Sequence, residues 1–263
     1  MGTRFLGRWW GNLPSSSLNS VCLALDTTDW PVFIDWRSHS LLCIGESGSG
    51  KSNTIANLLC EVEPFVQQGL VELYGIDLKA MEFSMSKNVF HAVATDAESA
   101  LALTDTLRED MLKRARELAG TAREHVPSVS SPRRVIIVDE LAELFRQDSK
   151  ISKHFQQNLT SLLSMGRATG NIVWGFSQNP RKESLPVRDD FNGQMIALRM
   201  GETEAKLMLP SAALRAGAAP WAISASSPGA GWFWNSDTKK AQLFRTDWIS
   251  DDELRALTAV SDA

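Results

Sequence analysis

The chain has 263 residues, of which 43% are hydrophobic and 22% are charged, and its formal net charge is −4. This composition is typical of a folded globular protein and excludes a disordered chain, and no apolar run approaches the roughly 18 residues that a transmembrane helix requires. The negative net charge excludes a basic field over the whole surface, so any contact with nucleic acid must be local.

The cysteine content and the N-terminus both favour a cytoplasmic protein. Cys22, Cys43 and Cys60 lack the paired spacing of a zinc site or a disulfide scaffold, which points to a reducing compartment. Arg4 and Arg8 are followed by tryptophan and glycine and not by the long apolar stretch of a secretory signal. We therefore expect no export signal.

The first half of the chain reads as an arm followed by alternating strands and helices. Residues 1–40 predict an N-terminal arm, 41–44 a strand, 52–66 a helix and 70–76 a second strand that ends on Asp77. Thr95 and Glu98 have capping-box spacing at the start of a helix that Gly120 ends. The basic residues of that helix, Lys113, Arg114 and Arg116, are predicted to form a solvated face.

The second half continues the alternation. Residues 135–138 form a β-branched run typical of a central parallel strand, 150–165 predict a helix, and 172–176 and 194–200 predict two further strands. Residues 232–234 and 241–244 predict a hairpin, with a short closing helix from Asp251. The pattern predicts an α/β fold with a mainly parallel central sheet, helices on both faces and a C-terminal β-hairpin.

A glycine-rich loop between the first strand and the first helix matches the P-loop pattern at every fixed position. Its residues are Gly45, Glu46, Ser47, Gly48, Ser49, Gly50, Lys51 and Ser52. Backbone N–H groups of such a loop surround a β-phosphate, the lysine reaches the β and γ oxygens, and the serine hydroxyl binds Mg²⁺. The alternative is a chance match in a Gly/Ser loop.

Two carboxylates end the β-branched strand. An acidic residue beside a P-loop binds the water shell of Mg²⁺, and a neighbouring carboxylate polarises the attacking water. Asp139 is predicted to take the first role and Glu140 the second, an arrangement that favours hydrolysis. The alternative is an acidic helix cap after a core strand.

Two further polar residues are candidates with weaker signals. Gln178 follows the strand at 172–176, where it would sense the γ-phosphate or orient water, or would simply form the turn before Pro180. Arg167 lies at a helix end between Gly166 and Gly170, where it would either complement the helix dipole or contact the phosphate of a neighbouring subunit.

The order of these motifs resembles the motor core of the FtsK/SpoIIIE family of DNA-pumping ATPases. The resemblance covers about residues 30–235 and rests on Pro31 to Asp35, GESGSGKS, YGIDLK, VIIVDELAEL, GRATG, FSQNP and ALRM. Within that family the chain resembles short actinobacterial relatives found on conjugative or mobile elements.

The resemblance implies a RecA-like P-loop NTPase that binds ATP and Mg²⁺ and assembles as a hexameric ring around double-stranded DNA. It places Lys51 and Ser52 on phosphate and metal, Asp139 and Glu140 on metal and water, Gln178 as a sensor and Arg167 as the trans-acting arginine. Asp77 and Lys79 match the family's Asp-x-Lys segment, with no role assigned. The domain division it suggests is an arm (1–40), an ATPase domain (41–245) and a helical tail (246–263).

The chain also departs from the family pattern. Only 44 residues precede the P-loop and the tail after Phe244 is short, so we expect a reduced N-terminal subdomain, no winged-helix domain and a separate membrane-anchoring partner, if any. Asn179 stands where the family has arginine. Two rival functions stay open: a type VII secretion-like ATPase that moves protein, and a nucleotide-binding regulatory module with little turnover.

Overall fold

The computed structural model describes residues 14–258 together with the backbone of Arg4–Phe5 and Arg8–Trp9. The strands are β1 Arg4–Phe5, β2 Arg8–Trp9, β3 Ser20–Asp26, β4 Pro31–Asp35, β5 Leu41–Ile44, β6 Val71–Ile76, β7 Ala92–Ala94, β8 Arg133–Val138, β9 Asn171–Ser177, β10 Gln194–Leu198, β11 Ala230–Asn235 and β12 Lys240–Arg245. The helices are α1 Lys51–Gln67, α2 Ala97–Leu118, α3 Leu141–Phe145, α4 Ser149–Thr169, α5 Glu202–Met208, α6 Ser211–Arg215 and α7 Asp251–Arg255.

One ten-stranded sheet organises the described residues, in the order β4-β3-β12-β11-β10-β5-β9-β8-β6-β7. The strands from β10 to β7 in this order pair in parallel, whereas β10 to β4 pair antiparallel. The predicted α/β fold, with its mainly parallel sheet and C-terminal β-hairpin, is confirmed. Because the chain returns through a helix between most parallel strands, their carboxyl ends meet at one edge.

Successive side chains of the central strands point alternately into two apolar layers, one on each face of the sheet. Leu41 and Cys43 of β5 face the layer that contains α1, whereas Leu42 and Ile44 face the layer that contains α2 and α4. Residues 135–138 are fully buried, as their unbroken β-branched run predicts. Burial on both faces fixes the register of these strands, since a one-residue slip would exchange the two layers.

The segment predicted as an N-terminal arm contributes two strands to the sheet. β3 and β4 pair antiparallel, and β3 joins the outer strand β12. Trp36, which follows β4, is fully buried and stacks on Trp174 of β9 with ring centroids 6.0 Å apart. The prediction of an arm over residues 1–40 did not identify these two strands, because the many serine, tryptophan and aspartate residues obscured the buried apolar positions Val21, Leu23, Val32 and Ile34. The division into arm, ATPase domain and tail stays a prediction.

Two details of α2 also differ from the sequence-based expectation. Its capping box is formed by Asp96 and Ser99, one residue later than the predicted pair, and each side chain accepts from the other residue's backbone N–H. Arg114 is buried, and its guanidinium donates to the carbonyls of Thr169 (2.8 Å) and Pro132 (3.2 Å). The predicted solvated face was wrong at Arg114, since those carbonyls at the start of β8 and the end of α4 need a donor.

Two further observations concern the cysteines and the apolar character of the helices. The three cysteines are free thiols, two of them buried. No helix within residues 14–258 combines the length and apolar character needed to cross a bilayer.

Candidate functional site

The P-loop connects the buried strand β5 to the first turn of α1. Gly50 has φ +103°, a left-handed conformation, and a Cβ there would lie 2.2 Å from the backbone nitrogen of Gly229. Gly48 also has a positive φ, +72°. Glycine is required at both positions because side-chain-bearing residues rarely adopt this backbone and, at Gly50, would collide with the neighbouring loop.

The flanking parallel strands hold the loop from both sides. Gly45 N–H donates to the carbonyl of Ser177 in β9 (3.2 Å), and Glu46 N–H donates to the carbonyl of Arg199 after β10 (3.1 Å). The Glu46 carboxylate also forms an ion pair with the Arg199 guanidinium. The loop is thereby preorganised by the sheet edge, which is what a phosphate cradle needs.

Lys51 lies at the centre of this edge. Its ammonium donates to the carbonyls of Gly45 (2.7 Å) and Glu46 (3.3 Å). Partial burial lowers the pKa of Lys51, while negative groups that include Glu140 and Asp139 oppose that shift. The ammonium is therefore kept beside the loop by groups that an oligophosphate could replace.

Asp139 directly follows β8 and lines the same cavity as the P-loop. Its backbone N–H donates to the Ile76 carbonyl at 3.1 Å, which continues the β6–β8 pairing to the sheet edge. Burial raises the pKa of Asp139 to about 7, and the negative charges of Glu82, Asp77 and Glu140 add to the shift. A cation at this position would relieve that repulsion.

Glu140 is held by the neighbouring strand. Its Oε1 accepts hydrogen bonds from the Ser177 hydroxyl (2.8 Å) and from the backbone N–H of Gln178 (3.1 Å). Two donors fix one carboxylate oxygen and leave the other free to accept. The exposed Gln178 side chain lies in the same cavity. Asp139 and Glu140 after β8 and Gln178 after β9, which were predicted from two separate strand ends, therefore line one cavity.

Sequence reasoning missed Glu82. Its carboxylate accepts from the Ser52 hydroxyl at 2.6 Å, and burial raises its pKa. Buried Asp77 shapes the turn that carries it: Asp77 accepts from the backbone N–H groups of Lys79 (3.1 Å), Glu82 (2.7 Å) and Phe83 (3.2 Å). The available signal was an acidic residue five positions after a strand-ending aspartate, and it is weak without the fold.

These groups surround one cavity of about 320 Å³. Its lining consists of Ser47, Gly48, Gly50, Lys51, Ser52, Asn53, Lys79, Glu82, Asp139, Glu140, Gln178, Pro228 and Trp248. A cationic and amide-rich side faces an acidic side across this space, an arrangement suited to a metal-bound phosphate chain.

Arg167 lies elsewhere. It is exposed near the end of α4, and the strand that follows, β9, starts at the sheet edge opposite the P-loop. Its charge acts on Glu124 and Asp237, neither of which lines the cavity. Arg167 therefore does not contribute to the site of its own chain, and its predicted trans-acting role stays a prediction.

The oxygen donors fit Mg²⁺ better than a transition metal. The Ser52 hydroxyl and the carboxylates of Glu82 and Asp139 face one cavity, and hard oxygen ligands are those that Mg²⁺ prefers. Within residues 14–258 no group of three or more His, Cys, Asp or Glu side chains could hold a metal ion by itself.

Together the fold and the site define a RecA-like P-loop NTPase. The model of the FtsK/SpoIIIE family matches residues 12–132, which confirms the resemblance that the motifs carry. The similarity to actinobacterial mobile-element relatives in particular stays a prediction.

Relatives in sequence carry the name DNA translocase. SftA of Bacillus subtilis (strain 168) is 27% identical in an alignment of length 202 that covers 68% of this chain and 21% of SftA. FtsK of Helicobacter pylori (strain ATCC 700392 / 26695) is 25% identical in an alignment of length 199 that covers 67% of this chain and 23% of FtsK. The chain thus matches about a fifth of the length of these relatives.

Solved structures share the fold at low identity. The cytoplasmic domain of the Thermomonospora curvata type VII secretion ATPase EccC has a TM-score of 0.71 and 20% identity, over 95% of this chain and 32% of that one. The pCW3 conjugation coupling protein TcpA, in its monomer form with ATPgS, has a TM-score of 0.73 and 19% identity, over 93% of this chain and 70% of that one.

Proposed function

We propose that the protein is an ATP-hydrolysing motor that moves double-stranded DNA. The observation that carries ATP hydrolysis is the convergence of the P-loop, Asp139 and Glu140 on one cavity. DNA as the cargo is supported by the sequence relatives, which are named DNA translocases.

The chemistry follows from charge and position. In the nucleotide complex, Lys51 exchanges its contacts with the loop carbonyls for phosphate oxygens, and the loop amides bind the β-phosphate. Ser52 and Asp139, with Glu82 beside them, would hold Mg²⁺, and that ion would neutralise charge on the phosphate oxygens.

Glu140 acts on the attacking water. Its free carboxylate oxygen accepts the proton as the water oxygen bonds to the γ-phosphorus and the bond to the β–γ bridging oxygen breaks. Gln178 lies beside Glu140 and orients the same water or senses the γ-phosphate. The products are ADP and phosphate, and no covalent intermediate with the protein is required.

Assembly completes the proposal. A hexameric ring would bring Arg167 of one subunit to the nucleotide of the next and would enclose DNA in its centre. A motor of this type would move DNA during plasmid or mobile-element transfer or during chromosome segregation. A cytoplasmic motor of this kind would act at a membrane through a separate anchoring partner.

The rival cargo is protein, as in the type VII secretion ATPases that share the fold. The test is the ATPase rate of the full chain with and without duplex DNA over a salt series. We expect stimulation by DNA that declines steeply as salt rises, because neutralising phosphates releases counterions.

The same assay separates the alternatives. Stimulation by a secretion-signal peptide and none by DNA would reject DNA as the cargo. Nucleotide binding without turnover under all these conditions would instead indicate a regulatory module.

A further inference from the structure

A tryptophan at the nucleotide cavity has no part in the phosphate chemistry. Trp248 lines the cavity and is 82% exposed, although its neighbour Ile249 is buried. A tryptophan offers a large aromatic face and one N–H donor, so an exposed indole beside a ligand cavity can stack on a flat part of the ligand.

The backbone that carries Trp248 is tied to the P-loop. Gly229 N–H donates to the Ser49 carbonyl (2.9 Å), and Thr246 N–H donates to the Gly229 carbonyl (3.1 Å). These bonds run from the phosphate cradle through the loop before β11 to the segment after β12. The position of Trp248 is therefore coupled to the loop that binds phosphate.

The first turns of α1 complete this attachment. Asn53 accepts from Ile249 N–H at 3.1 Å and donates to the Thr246 hydroxyl at 3.0 Å. Asn57 donates to the Asp247 carbonyl at 2.8 Å. Bonds on both sides of residue 248 hold its backbone while leaving its indole ring free.

The distribution of charge in the cavity indicates which ligand part the indole meets. Lys51 and Ser52 mark the phosphate end, and the carboxylates of Glu82, Asp139 and Glu140 occupy the acidic wall. Among the described lining residues the apolar side chains are Pro228 and Trp248. A nucleobase is a flat, uncharged ring system that stacks on aromatic side chains.

We propose that Trp248 is the base-stacking residue of the site and binds the purine ring of a nucleoside triphosphate. This inference rests on the proposed function, since it assumes that the P-loop binds a nucleotide. Stacking tolerates different bases because each has a π-face, so Trp248 supplies affinity for the nucleoside and little preference between ATP and GTP.

The experiment compares a ligand that has a base with one that does not. Calorimetry would measure Mg²⁺-supported binding of ATP and of inorganic tripolyphosphate to wild type, Trp248→Ala and Trp248→Phe. We expect Trp248→Ala to weaken ATP binding about tenfold or more while tripolyphosphate binding is unchanged, and Trp248→Phe to recover most of the loss.

Trp30→Ala is the matched control, because Trp30 is 55% exposed in the turn between β3 and β4, away from the cavity lining. It should bind both ligands as wild type does. Indole fluorescence gives a second readout, since part of the change on ATP addition should vanish in Trp248→Phe.

Three results would overturn the inference. One is wild-type ATP affinity in Trp248→Ala, and another is an equal loss for ATP and tripolyphosphate. A third is a change in the sedimentation of Trp248→Ala while the ratio of its affinities for ATP and tripolyphosphate stays that of wild type. That result would assign the indole to contact with a second copy of the chain. Wild type that binds neither ligand would overturn the proposed function as well, whereas ATP turnover without DNA stimulation would overturn only the DNA motor.

Discussion

The parallel and antiparallel halves of the sheet contribute different kinds of residue to the candidate site. In the parallel half, β5, β8 and β9 end at one edge and deliver Lys51, Asp139 and Gln178 to one cavity. In the antiparallel half, β3, β4, β11 and β12 deliver no charged group to the described lining; the loop before β11 and the segment after β12 contribute Pro228 and Trp248. Parallel strands gather functional groups because their carboxyl ends coincide, whereas antiparallel strands distribute their ends over both edges.

Helix α1 joins these halves. Its first turn carries Lys51 and Ser52 toward the cavity, and Asn53 and Asn57 bind the segment after β12. Further along, Glu61 contacts the segment that leads into β3. Substitutions early in α1 should therefore change chemistry, and those later in the helix should change stability.

The largest expected effect comes from Lys51→Ala. The phosphates lose their compact cation, so ATP binding and turnover should fall close to background while the melting temperature stays near that of wild type. Calorimetric binding, a turnover assay and thermal melting check this together. Lys153→Ala, at an exposed position of α4, is the control, and near-normal hydrolysis by Lys51→Ala would contradict the P-loop assignment.

The second prediction concerns the opposite edge of the parallel half. An arginine that reaches the γ-phosphate of a neighbour is worth roughly 10³ to 10⁵ in rate in related phosphoryl transfer. Arg167→Ala should leave ATP binding by isolated subunits unchanged and abolish the rise of specific activity with protein concentration. Mixing it with Lys51→Ala subunits should restore part of the activity, because each supplies the half-site that the other lacks.

Arg116→Ala, an exposed arginine of α2, should behave as wild type in the same assay. Full activity of Arg167→Ala, combined with wild-type activity that does not depend on concentration, would contradict both the trans-acting role and the ring. Arg167 would then only complement the dipole at the end of α4.

The contrast between the halves also explains what the sequence could predict. The parallel strands were found because residues such as 135–138 are apolar without interruption, and the P-loop has fixed spacing. β3 and β4 pair with each other, but the pair joins the sheet only through β12, more than 200 residues later, and so distant a partner leaves no local pattern in the sequence.

The residues of the candidate site also fall into a group that the sequence predicts and a group that it does not. Asp139, Glu140 and Gln178 follow recognisable strands, so their convergence could be predicted from the rule that parallel strand ends meet. Glu82 and Trp248 lie in irregular segments whose positions depend on side-chain to backbone bonds from Asp77 and Asn53. The hydrophobic periodicity of the sequence gives no sign of such bonds.

The third prediction separates the two carboxylates after β8. Glu140→Gln keeps an oxygen to accept from Ser177 and Gln178 but loses the charge that takes the proton, so turnover should fall about 10² to 10³-fold with ATP binding retained. Asp139→Asn should instead raise the Mg²⁺ concentration needed for half-maximal activity. A Mg²⁺ titration of turnover that gives the opposite pattern would exchange the two roles.

The smallest expected effect lies where α1 meets the antiparallel half and concerns stability alone. Glu61 is 8% exposed, and its carboxylate accepts a hydrogen bond from the Ser16 hydroxyl, whose oxygen in turn accepts from Cys22 N–H of β3 at 2.8 Å. Burial raises the pKa of Glu61 from 4.5 to about 7, although the Ser16 hydrogen bond acts in the opposite direction.

A raised pKa means that folding favours the protonated acid, so ionisation of Glu61 destabilises the fold progressively as pH rises from about 4.5 to about 7 and by a constant amount above that. With about 1.4 kcal/mol per pKa unit, the full penalty is of the order of 3 kcal/mol. Glu61→Gln removes the ionisation, so the free energy of unfolding of the variant minus that of wild type should grow over this interval and then level off. Urea unfolding at several pH values between 4.5 and 8 measures the difference, with Glu109→Gln at an exposed position of α2 as the control.

Turnover of Glu61→Gln at neutral pH should equal that of wild type, because the residue lies outside the cavity. Parallel stability curves for Glu61→Gln and wild type would show that the carboxylate is hydrated or compensated in the fold, and altered turnover at unchanged stability would show that the antiparallel half acts on the chemistry through α1 after all.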